Sequence, residues 1–396
     1  MDTDRNFEPR RRELLLATLA LLGGCGGVDS GGTGTGASPT YASGPITGFG
    51  SIIVNSVRYD DSSAAVDDDD GVARNRSELK LGIRAEVLAS AVTVVAGVST
   101  ATASSIRIRS EIIGPLEAID SVNAQLTVLG QRVGVVATTV FDAALAGGLA
   151  ALSPGDVLVV YATLDVASGR YVASRIERRA ALTSYKLRGA VATLALAAKT
   201  LTVGLATVDW SAVAPADPAS ALAPGRLLHV TLATTVVGGV WRAIALSSGV
   251  PRPEDRDFAE IEGRITAFAS STSFALDGLA VDASAASFPG GSAGLRLGAK
   301  IEVRGSLRGG VLVASRVTLK DEDGGLEPFE LHGSIESVDT AAMRFVVRGV
   351  TVAWSAATRF EGGSPADLAV GRRVEVKGRL SANGLLVEAV TVHVEQ

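Results

Sequence analysis

One cysteine, three histidines and two methionines among 396 residues leave few of the side chains from which sites are usually built. A single Cys excludes an internal disulfide and any cysteine-built zinc cage. Aromatic residues make up only 5% of the chain, too few for the Trp and Tyr girdles of a transmembrane β-barrel. Positive charge is not in excess, since 37 Lys+Arg stand against 42 Asp+Glu for a net −5. A protein that neutralises phosphate backbones is basic, so no nucleic-acid partner is expected. The longest apolar run near the start, Leu14–Leu22, is broken by Thr18 and falls short of the roughly 20 residues that span a bilayer. What is abundant is glycine, 45 residues, in a chain 47% hydrophobic and 20% charged. That composition excludes disorder along the whole length.

Residues 1–24 read as an export signal. Arg10, Arg11 and Arg12 supply a positive segment, followed by the apolar stretch and then Leu22-Gly23-Gly24-Cys25. This resembles the lipobox of bacterial lipoproteins, in which small residues before Cys admit a peptidase and the thiol is acylated. The resemblance implies lipidation at Cys25. Arg11-Arg12 followed by Glu13-Leu14-Leu15 also resembles a twin-arginine signal. Residues 25–43, rich in Gly, Ser and Thr, are expected to be a flexible tether. Gly26 rather than Asp after the cysteine resembles outer-membrane sorting.

The remainder repeats. A glycine that opens an apolar strand recurs at Gly44, Gly114, Gly189, Gly263 and Gly333, spaced 70, 75, 74 and 70 residues apart. A second marker, Leu-x-x-Gly before another strand, recurs as Leu79/Gly82, Leu152/Gly155, Leu222/Gly225, Leu295/Gly298 and Leu368/Gly371. Two independent markers with one period establish internal repetition. Between them, Val and Ile alternate with charged residues, as in Val374-Glu375-Val376-Lys377 and Ile301-Glu302-Val303-Arg304. Period-two alternation places one face inward and one in water, and only Ala143–Leu152 suggests a short helix.

About five short strands in about 70 residues predict a small closed barrel, because closure removes exposed strand edges. The expected fold is all-β, with five tandem OB-like β-barrel modules after the signal and tether. The boundaries read as modules at 44–113, 114–187, 188–250, 261–320 and 331–396, with linkers at 251–260 and 321–330. The opening Gly44–Asn55 together with Leu368–Gly378 resembles a bacterial domain-of-unknown-function family of tandem OB-like modules in proteobacterial lipoproteins. The resemblance is clearest in copies one, four and five. Copies two and three depart from it, with Leu158-Val159-Val160 and Leu228-His229-Val230 where Val-Glu-Val is expected. It implies envelope location and modular architecture, and no catalytic residues.

Chemistry is sparse. His229, His332 and His393 fall in different contexts, and Gly290-Gly291-Ser292-Ala293-Gly294 matches a nucleophile-elbow pattern by letter but lacks the strand before and helix after it. Asp60, Asp61, Asp67, Asp68, Asp69 and Asp70 crowd one region of the first copy and could ligate Ca²⁺, which takes six to eight oxygens. The alternative is a solvated loop. Asp321-Glu322-Asp323 is a shorter run with the same two readings. Tyr59, Phe141, Trp210, Phe288 and Phe360, one per copy, are expected to plug their barrels. No catalytic or cofactor-binding residue is assigned. The expected role is a lipid-anchored envelope protein, at the periplasmic face or outer membrane, that binds or scaffolds an envelope ligand or protein without catalysis. A small-ligand or Ca²⁺ binder is the alternative, and an envelope-polymer hydrolase would need a convergent carboxylate pair in a cleft.

Overall fold

A computed structural model describes residues 39–180, 182–213, 222–321 and 329–395. The signal, Cys25 and most of the tether lie outside them. Module 1 shows how each repeat is built. Its first strand, Thr40–Phe49, pairs antiparallel with the second, Ile52–Val54, which pairs with the third, Val57–Asp60. The third runs parallel to the fifth, Val98–Ile108, and the fourth, Arg84–Ala89, lies antiparallel between the fifth and the first. The strand order 1-2-3-5-4 thus returns to 1 and closes the barrel. Modules 2 to 5 repeat the same order, from first strands Ile112–Asp120, Tyr185–Ala195, Arg256–Ser270 and Phe329–Asp339. The chain is therefore all-β, in five closed five-stranded barrels of OB-like order.

The two sequence markers are the two halves of one closing contact. The amides of Gly82, Gly155, Gly225, Gly298 and Gly371 donate to the carbonyls of Ile46, Leu116, Val191, Ile265 and Ile335 at 2.7–2.8 Å. Each acceptor lies two residues after an opening glycine. The marker glycines have φ between 78° and 96°, a conformation that costs other residues about 1–2 kcal/mol. Three residues earlier, each marker leucine is buried, a burial contributing about 1.5–3 kcal/mol per side chain. The opening glycine is needed for close approach: a Cβ on Gly44 would lie 2.3 Å from Asn55 Oδ1, and one on Gly263 2.5 Å from Asp277 Oδ2. Both neighbours begin the tight turn joining strands two and three. In module 1 that turn, Asn55-Ser56, holds left-handed φ at both residues (51° and 62°), as a two-residue hairpin of matching twist requires.

The opening glycines therefore sit inside first strands rather than before them, and several boundaries move. Strand begins at Thr40, so residues 40–43 belong to module 1 and not to the tether. It begins at Ile112 for module 2, Tyr185 for module 3 and Arg256 within the expected linker 251–260, and resumes at Phe329. The expected helix over Ala143–Leu152 reduces to one 3₁₀ turn, Gly148–Ala151.

The first strands also join the modules. Thr40–Ser43 runs parallel to Phe258–Ile261 of module 4, and Gly48-Phe49 runs parallel to Glu330-Leu331 of module 5. Ile112-Ile113 pairs antiparallel with Lys186-Leu187 of module 3. Cores follow these junctions: modules 1 and 5 share one cluster with Val159 and Tyr161 of module 2, modules 2 and 3 share a second, and Tyr41 of module 1 enters the core of module 4. The modules are neither separate beads nor a simple stack.

Candidate functional site: a cavity between modules

Alternation placed the charged face of each strand in water. At the junctions that face is buried instead, since Lys186, Arg188, Arg175, Glu177, Glu260, Glu262 and Arg264 are all covered by neighbouring modules. A buried charge needs a partner; Glu177 finds Arg175 and Arg179 on its own strand, whereas Lys186 and Arg188 reach Asp69, 117 and 119 residues away.

A cavity of about 350 Å³ opens where modules 1, 2 and 4 meet, with Phe329 of module 5 at its edge. Module 1 contributes the Asn55-Ser56 turn and Arg84, the first residue of its fourth strand. Lys300 occupies the same place in module 4, and Arg264 directly follows that module's opening glycine. Module 2 brings Thr138, Thr163 and Ser174. Arg84 donates through Nη2 to the Glu262 carbonyl and to Asp277 Oδ2, both at 3.0 Å, while its buried Nε–H finds no acceptor. Arg264, 1% exposed, donates through Nε to Thr163 Oγ1 at 3.1 Å and through Nη1 to the Gly298 carbonyl at 2.8 Å. Lys300 pairs with Glu262 at 3.0 Å, and Lys320 with Glu302 at 3.3 Å. The Asn55 amide donates to the carbonyls of Ser43 and of Glu260 in module 4, at 3.1 and 3.0 Å.

Close to this junction Glu260 lies opposite Arg304, 2.8 Å away, and diagonal to Glu302, which Arg304 also reaches at 3.5 Å. Burial and the neighbouring Glu302 push the Glu260 carboxyl up to about 7. Neither carboxylate of this pair lines the cavity.

The six acidic residues of module 1 are spread over several partners, with Asp69 and Asp70 sharing Lys186. Asp60 accepts from the Ser62 amide, which holds its carboxyl below the usual range. Asp61 pairs with Arg76, Asp67 with Arg107, and Asp68 with Arg74 at 2.6 Å while also accepting the amides of Asp70 and Val72. Asp69 and Asp70 cross to module 3. Asp69 binds Lys186 and, at 2.6 Å, Arg188; Asp70 binds Lys186 at 2.7 Å and lies 3.4 Å from His229 Nε2. Among the described residues, no group of three or more His, Cys, Asp or Glu side chains is placed to hold a metal ion. Burial alone would raise the Asp69 carboxyl, but Lys186 and Arg188 beside it reverse this and hold it low. Burial, aided by Arg188 and Lys186, pulls His229 down to about 4 against the pull of Asp69 and Asp70.

His229 is thus a member of the junction between modules 1 and 3. His332 and His393 both belong to module 5, on either side of Glu375 across three paired strands. Tyr59, Phe141 and Trp210 are buried, while Phe288 and Phe360 pack at the rims of their cores. They are not all equivalent. Phe141 and Phe360 share one position, the short stretch parallel to the fifth strand, where module 1 has Val66. Trp210 corresponds instead to Trp354, each directly after its module's third strand. Gly290–Gly294 is loop and is followed by the strand Lys300–Arg308. Sequence reasoning missed the cavity residues. One signal was present: at the position after the opening glycine the copies carry Pro45, Pro115, Ala190, Arg264 and Ser334, and only Arg264 is charged.

No curated protein matches the chain. A family model described as a domain of unknown function (DUF5666) matches residues 113–177, 262–318 and 332–388. Those segments fall on modules 2, 4 and 5, so the similarity extends to copy two despite its Leu158-Val159-Val160 and leaves copies one and three outside the matches. Three separate matches in one chain accord with tandem modules, and the chain is similar to this domain of unknown function in three of its five barrels.

Proposed function

We propose that this chain is a lipid-anchored, non-catalytic binding protein of the bacterial cell envelope, at the periplasmic face or the outer membrane. Cys25 carries the anchor, the Gly/Ser/Thr-rich segment serves as tether, and the fused barrels present the inter-module cavity to a small ligand. The observation that carries the binding half is the cavity itself: about 350 Å³ enclosed by three modules, within the range of small-molecule sites. The anchor half rests on Leu22-Gly23-Gly24-Cys25 after the Arg11-Arg12 segment. Among the described residues no helix is long and apolar enough to cross a membrane.

Intact-mass spectrometry of the membrane fraction tests the anchor. An added lipid mass in the wild type, lost in Cys25→Ala, is expected; an unmodified chain in both would remove the anchor. Native mass spectrometry of the full chain tests the binding half. The expected result is one small molecule bound to the wild type and absent from Thr138→Trp, which fills the cavity from a loop. A chain that carries no ligand under any growth condition would leave scaffolding alone.

A further inference from the structure

We infer that the inter-module cavity is a site for a small hydroxylated organic anion, with a carboxylate or phosphate ester as the recognised group; this rests on the binding reading above. The cavity wall carries four cations, Arg84, Arg264, Lys300 and Lys320, against two carboxylates, Glu262 and Asp321. Asp277 and Glu302, which hold Arg84 and Lys320, stand outside the lining. The lining therefore carries a net positive charge, with Arg84 and Lys320 balanced from behind and Lys300 by Glu262 within the wall. Arg84 is 3% exposed, and its Nε–H has no acceptor. That Nε–H is itself covered by protein, so Arg84 acts on an anion in the cavity through its charge rather than through this donor. Guanidinium groups suit carboxylate and phosphate oxygens better than any neutral acceptor.

Hydroxyl groups supply the rest of the wall. Thr47, Ser56, Thr138, Thr163, Ser174 and Thr318 line the cavity. Thr47 and Ser174 donate to the Ile53 and Tyr161 carbonyls and keep lone pairs for a ligand, and Thr163 accepts from Arg264 and keeps its proton, which fits a ligand body bearing hydroxyls of its own. At roughly 30 Å³ per water the space of about 350 Å³ equals about twelve waters, the size of a sugar acid or a sugar phosphate rather than a polymer segment. Lys300 and Lys320 are partly exposed, at 20% and 18% of their side chains, so they can meet the anion at the mouth while Arg84 and Arg264 lie deeper.

Calorimetry of the full chain with gluconate, glucose 6-phosphate and glucose at matched ionic strength tests this. Either anion, or both, should bind at one site, with glucose at least tenfold weaker; the stronger of the two identifies carboxylate or phosphate. Arg84 and Arg264 are too deeply buried for clean substitution. Lys300→Gln and Lys320→Gln are used instead, with an unchanged thermal midpoint as the check on folding, and each should weaken the anion at least tenfold. Glucose binding as tightly as the anions, or anion binding indifferent to both variants, would overturn the anion assignment and leave the binding reading standing. No heat from any of the three at millimolar concentration, with the cavity empty in native mass spectra, would overturn both.

Discussion

Two of the junctions that module 1 makes, to modules 4 and 3, differ in character. To module 4 it is joined mainly by backbone: Thr40–Ser43 runs along Phe258–Ile261, and Asn55 and Arg84 donate to the carbonyls of Glu260 and Glu262, with Arg84 and Arg109 also pairing with Asp277. To module 3 it is joined by side chains, through Asp69 and Asp70 on Lys186, Arg188 and His229. Backbone pairing needs only a strand of the right register and tolerates changes of side chain. A buried ionic junction stands or falls with individual residues and with their protonation. The same module is thus held on one side by strand pairing supplemented by ion pairs on Asp277, and on the other by side-chain charge.

Removing Asp69 should sharpen this contrast most. Asp69→Ala leaves Lys186 and Arg188, 6% and 8% exposed in their side chains, buried without their shared carboxylate. A broken buried pair costs about 3–5 kcal/mol, read as a lowered midpoint in urea.

The next largest effects are of pH, and they run in opposite directions at the two junctions. An unfolded chain protonates His229 near 6.5, whereas the folded chain does so only near 4. Stability from the module 3 junction is therefore complete above pH 6.5 and falls as pH drops towards 4. The depressed Asp69 carboxyl acts in the same direction, its contribution being lost as pH falls below the ordinary carboxylate range. Replacing His229 by Gln should flatten the slope between pH 6.5 and 4, worth about 1–3 kcal/mol. At the module 4 junction the Glu260 carboxyl lies near 7 in the fold and near 4.3 when unfolded. Its contribution is complete below about pH 4.3 and lost as pH rises through 7. Glu260→Gln should remove that slope, also of about 1–3 kcal/mol, as followed by denaturant titrations across pH.

The smallest effect is expected where backbone pairing carries the load. Asn55→Gly keeps the left-handed turn and deletes only the amide that reaches Ser43 and Glu260. The two lost bonds predict about 1–2 kcal/mol. A loss as large as that of Asp69→Ala would break the distinction between the two junctions.

The individual barrel was legible in the sequence because its determinants are local and repeated. The Leu-x-x-Gly marker and the opening glycine are the donor and acceptor sides of one hydrogen-bonded closure, so their common period followed from the fold itself. Where each strand starts was less legible, since Gly44 lies within Thr40–Phe49 and a strand can begin before the residue that marks it. The junctions were hidden for a different reason. Lys186-Leu187-Arg188 and Glu260-Ile261-Glu262 alternate as water-facing strands do, and nothing local reveals that the charged face meets another module. Asp69 and Lys186 are 117 residues apart. The cavity shares this property, its wall being drawn from Pro45 to Phe329.

If the barrels form one body, their unfolding is shared, and the three tryptophans are placed to report it. Trp210 and Trp241 are buried in module 3 and Trp354 in module 5. Urea unfolding of Trp354→Phe follows module 3, and unfolding of the double variant Trp210→Phe, Trp241→Phe follows module 5. Each variant's fluorescence curve is compared with its own circular dichroism curve, which follows all the strands together. In each variant the two curves should superimpose in midpoint and slope, as one cooperative transition requires. Fluorescence that departs from circular dichroism, in either variant, would mean barrels that melt independently, and would contradict a body fused by its junctions.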